Sequence, residues 1–169
     1  YHYDFVITEI GGTIGDIELA PFLEVIRQMK WELGKRAINL HLTYVPYLSA
    51  AGEVKTKPTQ HSVKELQSVG IQPDILVLRT DKHLDNDIRK KVAAFCNVDL
   101  DCVVQSENMP SIYEVPVNMQ AQGLDAAILR KCGEEVKPAP TLGPWKQFLD
   151  KLRKATKEVH IGLVGKYDL

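Results

Sequence analysis

The stretch G-E-V-K-T-K-P-T-Q-H-S, residues 52–62, joins an apolar run at residues 39–45 to an amphipathic run that begins near Pro58. This order is typical of a strand, a loop and a helix. Lysine ammonium groups, threonine hydroxyls and the free N–H groups of a helix start all bind anions. The stretch therefore predicts a polyphosphate site. The alternative is an ordinary N-capped helix start with solvated lysines.

Short apolar runs alternate with amphipathic runs along most of the chain. The predicted strands are residues 4–8, 39–45, 74–79 and 103–104, and the predicted helices are residues 21–33, 58–69, 85–95 and 116–131. Continuous apolar runs are typical of strands buried on both faces, and alternation of strand and helix is typical of a parallel sheet. The sequence therefore predicts an α/β fold with a parallel, doubly wound sheet and right-handed crossovers.

Apolar side chains recur at helical spacing in two of these helices. In the first helix they are Phe22, Ile26, Met29 and Leu33, and in the third helix they are Ile88, Val92 and Phe95. Such stripes predict that both helices pack against the core. The basic residues of the third helix, Arg89 to Lys91, lie outside the stripe, where a solvated face is the ordinary explanation.

Polar side chains follow the predicted strands. Glu9 comes after the first strand and precedes a glycine-rich turn at residues 11–18. Because loops after successive parallel strands share one edge of a sheet, we expect Glu9 and residues 52–62 to line one crevice. In that crevice we expect Glu9 to be a ligand of Mg²⁺. The alternative is that Glu9 only caps the turn. Asp16 and Glu18 in the turn are explained equally well by a ligand role and by stabilisation of the next helix.

Composition excludes several classes of function. The formal net charge of -1 over 169 residues argues against a nucleic-acid carrier and against a polybasic membrane binder. No apolar run approaches the length of a membrane span, and the first residues do not resemble a signal peptide, so we expect a cytoplasmic protein. The three cysteines lack C-x-x-C spacing, which predicts neither a disulfide framework nor a zinc site.

The composition changes at residues 137–144, where K-P-A-P-T-L-G-P carries three prolines and a glycine. This run is typical of a linker. An amphipathic helix and an apolar run at residues 159–164 follow it. We therefore expect a main domain at residues 1–136, a linker with a helix at 137–158, and the first strand of another domain at 159–169.

Several motifs of this chain closely resemble the CTP synthase family. They are E-I-G-G-T-I-G-D-I-E at residues 9–18, G-E-V-K-T-K-P-T-Q-H-S-V-K-E-L at 52–66, G-I-Q-P-D-I-L at 70–76, F-C-N-V at 95–98, S-I-Y at 111–113 and V-G-K-Y at 164–167. The resemblance implies that residues 1–136 belong to a synthase, or amidoligase, domain with a P-loop NTPase-like fold of the dethiobiotin synthetase type. It also implies that residues 159–169 begin a class I glutamine amidotransferase domain.

The resemblance further implies an activity. The family aminates UTP to CTP with ATP, Mg²⁺ and ammonia from glutamine, through UTP phosphorylated at O4, and its members are homotetramers that in some cases form filaments. Two alternatives stay open. One is another ATP-dependent amidoligase of the same fold, and the other is a non-catalytic module for CTP binding or assembly.

Site residues follow from the same resemblance. The residues implied to bind UTP or CTP are Asp16, Ile17, Glu18, Lys55, Thr56, Lys57, Pro58, Thr59, Gln60 and Lys91. Those implied to contact ATP are Arg79, Glu107, Asn108 and Met109, and Glu9 is implied to hold Mg²⁺. Many relatives read K-D-V at 107–109, so we expect backbone contacts there. No catalytic nucleophile or base is indicated.

One expected part of the family's site has no counterpart in this sequence. The pattern G-x-x-x-x-G-K-[ST], which cradles phosphates, does not occur. By the resemblance, this loop, its lysine and a second Mg²⁺ carboxylate precede Tyr1, and the glutaminase cysteine and histidine follow Leu169. We therefore expect that this chain alone does not catalyse the reaction.

Overall fold

The computed structural model describes residues 2–166, and the chain divides into two compact units, Tyr1–Ala139 and Pro140–Leu169. The first unit contains strands β1 (Leu40–Val45), β2 (Tyr47–Leu48), β3 (Glu53–Val54), β4 (Ile75–Thr80) and β5 (Val103–Glu107), and helices α1 (Ala20–Leu33), α2 (Lys57–Ser68), α3 (Asn86–Cys96), α4 (Val115–Ala121) and α5 (Leu124–Cys132). The second unit contains helix α6 (Gly143–Lys154). Tyr1 and residues 167–169, where the predicted domain ranges begin and end, lie outside the described residues. Within residues 2–166, no helix has the length and apolar character needed to cross a bilayer.

Three strands form a parallel sheet in the order β1–β4–β5. Val45 at the end of β1 pairs with Thr80 at the end of β4, and Thr80 pairs with Glu107 at the end of β5. The carboxyl ends of the strands therefore meet at one edge of the sheet, the carboxyl edge. The antiparallel hairpin of β2 and β3 follows β1 there. The predicted α/β class with a parallel sheet is confirmed.

The core is centred on β4, the middle strand. Its residues Ile75, Leu76 and Leu78 are fully buried, because strands lie on both of its edges and helices cover its faces. Helices α2 and α3 contribute Val63 and Val92 to the same cluster. The continuous apolar run of β4 is the pattern expected of a strand buried on both faces.

Helix α3 confirms the helix predicted at residues 85–95. It begins after Asp85, whose carboxylate accepts a hydrogen bond of 2.8 Å from the N–H of Ile88. Its buried residues are Val92, Ala93 and Cys96. Phe95 is instead exposed, so its predicted place in the inward stripe is wrong. Its ring lies 5.0 Å from the Lys64 ammonium of the neighbouring helix, a cation–π contact at the surface.

The strand predicted at residues 4–8 is wrong. The segment before α1 contains no strand, and its apolar side chains are exposed, Ile7 to 94%. A strand forms only where its N–H and C=O groups pair with a neighbour. Among the described residues, β1 and β5 each pair with β4 alone, so residues 4–8 have no ladder partner. The strand predicted at 159–164 is wrong for the same reason, and Leu163 is 98% exposed.

Two of the predicted helices also differ from the structure. Helix α1 begins one residue before the predicted helix and ends where predicted, but it buries no residue, and Phe22 and Met29 are exposed. It is held by polar contacts, since the Lys30 ammonium donates to Asp74 at 2.9 Å. An apolar period shows which face can be buried but not whether a partner covers it. The helix predicted at 116–131 is divided into α4 and α5, because Gly123 adopts a positive φ of 79° that ends the first helix.

Candidate functional site at the carboxyl edge

A cleft of about 450 Å³ opens where the chain leaves β1 and β4. Its lining residues are Tyr47, Gly52, Glu53, Val54, Thr56, Lys82, His83, Ile88 and Lys91. We call it the lysine cleft, after Lys82 and Lys91. Thr56 and Lys91 are far apart in the sequence, and both are in the set that the resemblance assigns to a nucleotide. The fold brings them into one cleft.

The start of α2 leaves hydrogen-bond donors open beside this cleft. Thr56 is the N-cap residue, and its side chain makes no capping bond. Its Oγ1 instead accepts a hydrogen bond of 3.2 Å from Gln60 Nε2, which leaves the hydroxyl proton available to a ligand. Pro58 lies in the first turn, where its missing N–H costs nothing. An uncapped first turn with positive charge nearby is suited to an anion.

Thr59 has a structural role through its side chain. The residue is fully buried, and its hydroxyl donates to the Tyr44 carbonyl oxygen at 3.1 Å and lies 3.0 Å from Thr43 Oγ1. These bonds fix the start of α2 on β1. A ligand contact by Thr59 would therefore have to come from its backbone N–H.

The lysines of the stretch differ in their electrostatic surroundings. Lys55 forms an ion pair with Glu53, and this hydrogen bond lowers the pKa of the Glu53 carboxyl. Much of the Lys55 charge is therefore balanced within the cleft wall. Lys57 and Lys91 are exposed, and neither makes an ion pair with any residue in the described range. Their charges are available to a ligand.

The residues implied to contact ATP come together at the ends of β4 and β5. The Arg79 guanidinium donates to the Ser106 carbonyl oxygen at 3.0 Å and also to the Asn108 side chain. Asn108 Nδ2 donates to Asp81 Oδ1 at 3.3 Å. Met109 follows in the same loop and is partly buried. Arg79 and Asn108 thus belong to one hydrogen-bonded group.

A second set of bonds lies beside this group, next to the lysine cleft. His83, which lines the cleft, has its Nδ1 2.8 Å from Glu107 Oε1 and 3.2 Å from Gln105 Nε2. Tyr44 at the end of β1 donates its hydroxyl to Asp81 Oδ2 at 2.6 Å, and this hydrogen bond raises the pKa of the Tyr44 hydroxyl. Polar side chains from the ends of three strands therefore lie along the carboxyl edge in two hydrogen-bonded groups.

The D-I-E segment lines a different depression. Asp16 and Ile17, with Glu24, Glu65 and others, line a groove that also measures about 450 Å³, here called the turn groove. Ile17 is 90% exposed, and Glu18 is exposed. The Asp16 carboxylate accepts from the Thr13 N–H at 2.9 Å, so it also stabilises the turn. The structure thus does not bring D-I-E into the lysine cleft.

The turn itself depends on glycine. Gly12 and Gly15 have φ values of 100° and 103°, where a side chain is strained. A Cβ at Gly12 would also lie 3.3 Å from Leu19 Cδ1. The glycines therefore set the path of the chain between Glu9 and the D-I-E segment.

Glu9 is the implied Mg²⁺ ligand. It lies in the exposed segment before α1 and lines neither depression, so the predicted shared crevice is not formed within this chain. In the described part of the chain its carboxylate makes no ion pair. A free carboxylate fits Mg²⁺, which takes one or two carboxylates together with phosphate oxygens.

A group of possible metal ligands at the start of β5 fits a cation less well than the Glu9 carboxylate does. Asp99, Asp101 and Cys102 bring their ligand atoms within 4.8 Å of one another. Lys131 lies 2.8 Å from Asp99, and Arg130 lies 2.6 Å from Asp101. Each carboxylate is therefore already neutralised by a basic side chain.

Sequence reasoning did not place four residues in the lysine cleft: Tyr47, Lys82, His83 and Ile88, the last of which it assigned to the core stripe of α3. The sequence pointed to two of them, because Lys82 and His83 belong to the polar run T-D-K-H at residues 80–83, directly after the predicted strand at residues 74–79. Tyr47 gave no signal, since its place in the cleft depends on the β2–β3 hairpin.

Comparison with known proteins identifies the family. The family model described as "CTP synthase N-terminus" matches residues 1–133. The chain is 67% identical to a CTP synthase of Bacteroides thetaiotaomicron over 100% of its length and 32% of the relative. It is 64% identical to a CTP synthase of Porphyromonas gingivalis, with 98% of this chain and 31% of the relative covered.

The chain thus spans about a third of the length of these curated relatives. The high identity extends across both compact units, and the family model covers most of the first. The motifs at the glycine turn and at the start of α2 lie inside the matched residues. This chain therefore belongs to the CTP synthase family.

Proposed function

We propose that this chain is part of a glutamine-dependent CTP synthase that aminates UTP to CTP at the expense of ATP. The observation that carries the proposal is the lysine cleft, in which Thr56 of the K-T-K-P-T-Q motif and Lys91 of α3 line one cavity. Its volume lies within the range of small-molecule sites. A nucleoside triphosphate needs such a mixture of ammonium groups and N–H and O–H donors.

In this proposal the triphosphate of UTP, or of the product CTP, binds at the start of α2. Lys55, Lys57 and Lys91 supply charge, while Thr56, Thr59 and Gln60 supply donors. Thr59 uses its backbone N–H, since its hydroxyl is bonded to β1. Pro58 fixes the first turn of the helix.

ATP binds in the proposal near Arg79 and residues 107–109. In the first step, a phosphate of ATP is transferred to O4 of UTP. Ammonia from glutamine then displaces this phosphate, which is a better leaving group than hydroxide. Glu9 holds Mg²⁺, which when bound balances the charge of the nucleotide phosphates. Arg79 is fixed by the Ser106 carbonyl oxygen, so its guanidinium is held at one place on the carboxyl edge.

The proposal assigns the D-I-E segment to recognition of CTP, the feedback inhibitor, with Glu18 accepting from the cytosine amino group. Asp16 and Ile17 line the turn groove and not the lysine cleft. One nucleotide would therefore contact both regions if a second copy of the chain supplied one of them. This favours a homotetramer with shared sites, which could stack into filaments.

The remaining parts of the proposal concern organisation. Residues 1–136 form part of the amidoligase domain, residues 137–158 are a linker with a helix, and residues 159–169 begin the glutamine amidotransferase domain. The protein is cytoplasmic. Because the sequence has no phosphate-loop motif, the chain alone is expected to be inactive.

The test measures CTP formation by the complete protein from UTP, ATP, Mg²⁺ and ammonia, so that glutaminase activity is not required. Lys91→Ala should lower UTP affinity at least about 10-fold, because Lys91 lines the cleft and its removal takes away a charge-assisted contact to phosphate. Lys90→Ala is the matched control, since Lys90 pairs with Asp87 on α3 and does not line the cleft. A folded protein that binds UTP without turnover would instead support a binding module, and turnover of another acceptor would support a different amidoligase.

A further inference from the structure

Lys82 is a cation of the lysine cleft to which the sequence motifs assign no role. It follows β4 and lines the cleft together with Thr56 and Lys91. We propose that Lys82, held over the ring of Tyr47, is a further phosphate-binding residue for the nucleoside triphosphate. The inference rests on the proposed function, since it adds a ligand to the same site.

The first argument is that the charge of Lys82 is not neutralised. Its ammonium lies 5.5 Å from the centroid of the Tyr47 ring, within the distance of a cation–π contact. Such a contact orients the ammonium but cancels no charge. The adjacent carboxylate of Asp81 is engaged by Tyr44 and Asn108. Within residues 2–166, Lys82 makes no ion pair, in contrast to Lys55.

The second argument is that the backbone around Lys82 is fixed. The buried Thr80 hydroxyl donates to the Lys82 carbonyl oxygen at 2.8 Å and accepts from the Lys82 N–H at 3.3 Å. Two residues further on, the N–H of Leu84 donates to the buried Gln105 side chain at 2.8 Å. The loop is therefore tied to both β4 and β5. A lysine on such a loop loses less conformational freedom when it binds a ligand than one on a mobile loop.

The third argument is the charge that a triphosphate requires. Glu53 also lines the cleft and is paired with Lys55, so these two side chains contribute little net charge. Lys91 and Lys82 are the two lysines in the lining. They belong to different elements, α3 and the loop after β4, and can therefore approach a phosphate chain from different directions. A single lysine would leave most of the phosphate charge unbalanced.

The experiment compares UTP and UMP binding to the complete protein by calorimetry. Lys82→Ala should weaken UTP binding about 10-fold and UMP binding much less, because the ammonium contacts the outer phosphates. Lys82→Arg should restore most of the affinity, since it keeps the charge. Tyr47→Leu removes the ring and should therefore cause part of the same loss of UTP affinity. Tyr47→Phe keeps a ring and should have little effect on UTP affinity. Circular dichroism checks that each variant is folded.

A Lys91→Ala variant separates failure of the inference from failure of the proposed function. If Lys91→Ala weakens UTP binding and Lys82→Ala does not, the role of Lys82 is overturned while the proposed site stands. If neither variant weakens UTP binding, the nucleotide does not bind in the lysine cleft and both proposals are overturned. An equal loss of UTP and UMP affinity in Lys82→Ala would also overturn the inference, because it would show an effect that does not depend on the phosphates.

Discussion

At the scale of single residues, the partly buried position of His41 on β1 should make the fold sensitive to pH. Its Nε2 lies 2.8 Å from Ser62 Oγ of α2, and burial lowers the pKa of the imidazole. The unfolded chain then binds the proton more readily, so the free energy of unfolding should decrease as the pH falls below about 6.5. His41→Gln should reduce this decrease in urea titrations at several pH values, with the exposed His61→Gln as control. An unchanged pH profile in His41→Gln would contradict this explanation.

At the scale of elements, β4 determines the stability of the first unit because it has a strand on each edge. Leu78 is fully buried at its centre. Leu78→Ala should lower the free energy of unfolding by about 2–5 kcal/mol, since it leaves a cavity that the packed sheet cannot close. The matched control is Leu40→Ala on β1, a strand of the same length. Because Leu40 is half exposed, this substitution should lower the free energy of unfolding clearly less. Urea denaturation of both variants measures the difference, and equal losses would show that β4 is not the centre of the core.

At the scale of the whole molecule, the separate lysine cleft and turn groove lead to a test of shared sites. If one CTP molecule contacts both regions from two chains, mixing Glu18→Ala and Lys91→Ala subunits, each of which should bind CTP weakly, should rebuild about a quarter of the sites with both regions native. Tight CTP binding should then recover at those sites. A mixture of Lys57→Ala and Lys91→Ala should bind CTP weakly throughout, because both residues belong to the same region of one chain. No recovery in the first mixture, with co-assembly demonstrated by affinity tags, would contradict the shared site.

The sequence by itself determined the local elements of this protein. The bounds of α2, α3 and β4 follow from apolar period, from Pro58 at a helix start and from Asp85 as a cap, and these features depend on neighbouring residues alone. The alternation of strands and helices also predicted the parallel sheet, and the anion stretch was recognisable by its composition.

Only the tertiary structure decided which residues share a cleft and which apolar runs are buried. It joined Lys82 and Tyr47 to Thr56 and turned the Thr59 hydroxyl towards β1. It also left residues 4–8 unpaired and Phe22 and Met29 of α1 exposed. The physical reason is that burial and strand pairing require a partner distant in sequence, and a local pattern shows only that a segment could use one.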